Sequence, residues 1–181
     1  MRPGGVRAVP RRAGRGARLS LPGRPSPARL HALALALARR PELVRFSRTA
    51  VRRYGARHRL ARIAAVFTFV SHVVDAPDDA ARDGTQVVLA LAGRDHGPAV
   101  ILAAMLLALG ERARLLATGA ASLVRVRIGA RELAGLPPHA TVVRGAGWYL
   151  VLDPRSARRP LGFVPRPIRR AMVDTLTAAS W

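Results

Sequence analysis

Gly93-Arg94-Asp95-His96-Gly97-Pro98, followed at once by residues 99–110 (AVILAAMLLALG), is the stretch on which the fold turns. Residues 99–109 are apolar and uncharged. A helix apolar on every side is buried on every side, and this run is shorter than the ~20 residues that cross a bilayer. Pro98 stands where a first-turn proline belongs and Gly110 where a C-terminal glycine stops a helix, so the spacing predicts a core helix over 98–109. Asp95, just ahead of it, suits an N-cap or first-turn acid.

Working outward, residues 113–117 (ARLLA) and 123–128 (LVRVRI) read as strands. In the second, Leu123, Arg125 and Arg127 face one way and Val124, Val126 and Ile128 the other, leaving one face half exposed. Residues 141–144 and 148–152 give two more strands, and a helix is expected over 168–178. Upstream, alanine, leucine and arginine favour a helix over 28–40, stopped by Pro41. Further helices are expected over 42–54 and 58–74. Residues 75–84 (DAPDDAARDG) read as an acidic loop, and 85–92 as a helical turn or a segment packed under the next helix. Helices first and an antiparallel sheet afterwards make an α+β fold, with the N-terminal helices and the central apolar helix packed on the sheet.

The chain has 181 residues and a net charge of +21, with half its residues apolar and only 4% aromatic. Length and composition fit a single globular domain over 29–181 behind a basic tail, 1–28, rich in arginine, proline and glycine and too poor in apolar residues to fold. Residues 1–62 contain 17 arginines against the lone Glu42. Such a segment attracts nucleic acid or anionic surfaces, but no aromatic side chains interleave with the arginines of the tail to stack on bases. A solvated tail is therefore favoured over a nucleic-acid arm. All 31 basic residues are arginine, and lysine and asparagine are both absent. This is the mark of a compositional bias that weakens any single arginine as a signal. No cysteine is present, which excludes disulfides, thiolate metal sites and thiol catalysis. Residues 30–38 look superficially like a signal peptide, but they lie too far along the chain and lack a small-residue cleavage site. A cytoplasmic location is the expectation.

The order of Gly93-Arg94-Asp95, the apolar helix ending Ala-Leu-Gly, residues 123–128 and Trp148-Tyr149-Leu150-Val151-Leu152-Asp153-Pro154 resembles the transglutaminase-like superfamily, which shares the papain-like catalytic layout. The resemblance covers a core of roughly residues 58–154. It implies a thiol nucleophile at the start of the central helix, a histidine base on the adjoining strand and an aspartate orienting that histidine. The nucleophile position falls on Asp95, or on His96 if the turn is one residue longer. The base falls on Ala121 or Ser122, and the aspartate on Asp153. Of the three vestigial positions Asp95, Ser122 and Asp153, only the last matches the family, so no residue is assigned a catalytic role.

The resemblance thus implies a non-catalytic domain that binds a protein or peptide in the remnant of the active-site groove. His96, Arg125, Arg127 and Trp148 are its candidate binding residues, and the arginines favour acidic ligands. The alternatives are a nucleic-acid-associated protein acting through residues 1–62, and a hydrolase with a relocated site. A metal cluster of His96, His139 and Asp153 would use ligands that suit zinc, but it lacks the close spacing of a metal motif. Ser71 and Ser122 lack the turn of a serine hydrolase. No cofactor and no metal is expected.

Overall fold

The computed structural model describes residues 26–75, 96–118, 121–155 and 159–169. Three helices come first: α1 (Pro27–Ala38), α2 (Pro41–Arg53) and α3 (Arg59–Asp75). The Ser26 hydroxyl accepts the Arg29 N–H at 3.3 Å, capping α1. The helix begins at Pro27, one residue ahead of the expected start at Ala28. Pro41 opens α2 as well as closing α1, since its fixed φ suits a first turn and its missing N–H would break a helix interior. His58 Nδ1 accepts the Ala61 N–H at 3.2 Å at the head of α3.

The central helix, α4, spans Gly97–Ala108, and every residue from Gly97 to Leu106 is buried. Its end follows from Gly110, whose φ of +81° is cheap only for glycine. That turn lets the Gly110 N–H reach the Leu107 carbonyl at 2.9 Å and the Glu111 N–H reach the Leu106 carbonyl at 3.0 Å, which satisfies carbonyls the helix leaves open. The helix touches α1, α2 and α3 and also the sheet, so it lies between two layers. Leu102, Met105 and Leu106 meet Leu30, Ile63 and Val66 from the helices and Val124, Leu150 and Leu152 from the sheet. Full burial of each large side chain stabilises the fold by about 1.5–3 kcal/mol.

Four antiparallel strands form one sheet in the order β1-β2-β4-β3: β1 (Ala113–Thr118), β2 (Ala121–Ile128), β3 (Val142–Arg144) and β4 (Trp148–Leu152). The α+β class and the antiparallel sheet expected from the sequence are therefore present. The chain leaves β2 through a short helix, α5 (Ala130–Ala134). Glu132 holds it by accepting the Gly129 N–H at 2.7 Å. The chain then runs along the sheet edge as β3 and returns as β4 into the position beside β2.

Val124, Val126 and Ile128 of β2 face α4, whereas Leu123 lies on the outer face in a second small cluster with Val151 and Val164. The outer face is thus covered at one end, where residues 159–169 cross it, and half exposed at the Arg125 and Arg127 end. Gly162 makes this crossing possible: its φ is +77°, and its carbonyl accepts the Thr141 N–H at 2.7 Å. A helical segment begins at residues 166–169. Asp75, expected to begin a loop, ends α3 instead. Residues 76–84 of that expected loop, the segment 85–92, most of the tail and residues 170–178 of the expected C-terminal helix lie outside the described residues. Among those described, no helix is long and apolar enough to cross a membrane.

Candidate functional site

The start of α4 is where the resemblance places its chemistry. His96 occupies the N-cap position but does not cap the helix with its ring. Its Nδ1 instead lies 2.8 Å from the Ser122 Oγ, across the gap to β2. Ser122 is fully buried, on the same face of β2 as Val124 and Val126. Asp95 lies outside the described residues. The chain position next to it, His96, is nonetheless in hydrogen-bond contact with the strand position where a base would stand.

Asp153 follows β4 directly and is also fully buried. Since Val124 pairs with Leu152, Ser122 and Asp153 lie within two residues of the same rung of the ladder. The carboxylate does not serve the histidine. Arg155 grips both its oxygens, Nε to Oδ1 at 2.7 Å and Nη2 to Oδ2 at 2.8 Å. The Arg155 backbone N–H adds a bond to Oδ1 at 3.3 Å, and Arg159 Nη1 donates to Oδ2. A carboxylate offers roughly four acceptor sites, so its capacity is filled by two guanidiniums and one amide.

The remaining candidates divide between two ends of the sheet. Trp148 pairs with Ile128, at the far end of β2 from Ser122. Six residues of strand separate those ends, about 20 Å at 3.3–3.4 Å per residue. Trp148 therefore does not join His96 in one groove, contrary to the expectation from the sequence. It is half exposed, with the Arg144 guanidinium 5.4 Å from its ring centroid. Arg125 and Arg127 alternate on the outer face, away from α4, with the Arg125 guanidinium 5.1 Å from the Tyr149 ring centroid. Burial holds Arg125 below the usual guanidinium range, Tyr149 pulls the other way, and Arg114 adds to the depression.

His139 is exposed in the loop before β3. His72 is engaged with the Thr68 carbonyl one turn back, at 2.8 Å. Among the described residues no three side chains of the histidine, cysteine, aspartate and glutamate types gather where they could hold a metal ion. Ser71 lies buried in α3, and its hydroxyl has no hydrogen-bond partner among the described residues. Sequence reasoning missed the His96–Ser122 pair, because hydrogen bonding between residues 26 apart leaves no local pattern. It also missed the Arg155 and Arg159 clamp, although two arginines closely following a Leu-Asp-Pro strand end were visible.

No protein-family model matches the chain, and neither a curated protein nor a solved structure does.

Proposed function

We propose that this chain is a non-catalytic transglutaminase-like domain, a cytoplasmic pseudoenzyme that works by binding a protein or peptide near the start of α4. The observation carrying this reading is the saturation of Asp153 by Arg155 and Arg159. An aspartate in a working triad keeps an acceptor free for the imidazole N–H; this one has none to offer. The Ser122 hydroxyl supports the same reading, since it is fully buried and spent on His96. With no cysteine in the chain, the thiol chemistry of the family has no nucleophile.

On this reading the surface beside the start of α4 binds without reacting. Its binding residue is His96, half exposed at the helix start, whereas Trp148 lies at the other end of the sheet and Arg125 and Arg127 on its outer face. The test is amide hydrolysis and amine transfer by the purified protein on extended peptides. The expected result is no turnover above buffer. Turnover abolished by Asp95→Ala, His96→Ala or Ser122→Ala would overturn the non-catalytic reading.

A further inference from the structure

The outer face of the sheet carries a second pattern, independent of the α4 groove. Arg114 lies directly opposite Arg125 in the β1–β2 ladder. Two residues before Arg114 and just ahead of β1, the Arg112 carbonyl accepts the Arg127 N–H at 3.0 Å, so these two arginines face each other on the next outward rung. Ala113 between them points into the core, which fixes Arg112 and Arg114 on the opposite face. Four arginines thus occupy a two-by-two block, and Tyr149 extends it on β4, opposite Arg127 and with its ring against the Arg125 guanidinium. Arg112 and Arg114 are exposed.

Arg112 and Arg114 stand exposed on this face, where a polyanion in solvent is drawn to their charge. Guanidinium forks match phosphate oxygens two at a time. The rungs are two residues apart, about 7 Å along the strands, comparable to the step between phosphates in an extended single strand. The aromatic ring decides between anions. Nucleobases stack on tyrosine and on guanidinium planes, whereas the carboxylates of an acidic peptide would leave that ring unused. Aromatic interleaving, missing from the arginines of the tail, is present here.

We infer that the outer sheet face bearing Arg112, Arg114, Arg125, Arg127 and Tyr149 binds single-stranded nucleic acid, phosphates on the arginine rungs and a base on Tyr149. This site is separate from the α4 groove and does not depend on the non-catalytic reading.

The test is fluorescence anisotropy of the full chain with a labelled 12-nucleotide single-stranded oligonucleotide across a salt series. The paired change Arg112→Gln/Arg114→Gln is expected to weaken binding about tenfold. It should also flatten the slope of log K against log salt by about 1.4, roughly 0.7 for each phosphate of the single strand that is no longer neutralised. Tyr149→Leu should weaken binding without changing that slope. The control Arg11→Gln/Arg12→Gln removes the same charge from the N-terminal tail. Three results would each overturn the inference: an equal loss in that control, equal affinity for a duplex of the same length, or tighter binding of a polyglutamate of matched charge. Thermal melts of each variant confirm that it is folded before binding is compared.

Discussion

His96 and Ser122 join the start of α4 to the start of β2 through a 2.8 Å contact between Nδ1 and Oγ. The serine is fully buried, so the bond is shielded from competing water. Removing the hydroxyl leaves the ring nitrogen without this partner, and a net hydrogen bond of this kind is worth about 1 kcal/mol. Ser122→Ala should lower the unfolding free energy in urea by about that amount with an unchanged m value. An unchanged midpoint would show that the pair holds nothing together.

Asp153 is fully buried and accepts hydrogen bonds at both oxygens from Arg155 and Arg159, so its loss should be felt more. Asp153→Asn keeps the shape but removes the charge that Arg155 and Arg159 were placed to meet. Hydrogen bonds to charged groups are worth about 1.5–3 kcal/mol. Both arginines are partly exposed and can turn to water, which holds the expected loss near ~2 kcal/mol rather than the larger cost of a stranded buried charge. Chemical denaturation measures it, and a loss below that for Ser122→Ala would contradict the clamp.

Gly110 and Gly162 share a positive φ but not their surroundings. A Cβ on Gly110 meets open space, whereas one on Gly162 would stand 2.9 Å from both the Ala140 Cβ and the Leu150 Cδ1. Gly110→Ala should therefore cost about 1–2 kcal/mol from backbone conformation alone. Gly162→Ala should add an overpacking cost of about 1–3 kcal/mol. Melting temperatures of the two variants should rank in that order, and the reverse ranking would refute the packing argument.

Stability should fall on mild acidification, through His31. Burial, and after it the Arg114 charge, hold this imidazole below its usual range, and its Nδ1 has no hydrogen-bond partner among the described residues. The unfolded imidazole titrates near about pH 6.5. Just below that pH the unfolded chain binds more protons than the folded one, so acid favours unfolding. The stabilising contribution is whole above about pH 6.5 and is lost as the pH falls toward the folded value. His31→Gln should flatten the melting temperature between about pH 7.5 and 5.5 relative to the unaltered protein. Parallel curves would assign the pH dependence elsewhere.

Local chemistry wrote much of this fold into the sequence. Pro41, Pro98 and Gly110 mark helix ends because each acts on its own backbone, and the apolar run at 99–109 can only be a buried helix. The period-two alternation of 123–128 separates the core-facing valines from the outward arginines. The hidden parts involve residues distant in sequence or a single side chain turned back on the backbone. The short helix α5 was not legible because it depends on one carboxylate reaching back to the Gly129 amide. The entry of β4 between β2 and β3 was not legible either, because strand order is set by packing rather than by propensity.

The apolar run at the centre of the chain's logic was settled by the sequence alone. Its hydrophobicity left no other stable place for it than the centre of the molecule, and its glycine stop needed only a local φ. What surrounds its first turn was decided by tertiary structure. Only folding brings Ser122 to His96, fills the acceptor sites of Asp153 with Arg155 and Arg159, and sets Trp148 at the opposite end of β2 from Ser122. Only the strand register turns four scattered arginines into two facing rungs. Hydrogen bonds and charge pairs depend on distances of a few ångströms, and those distances are fixed by packing across the sheet.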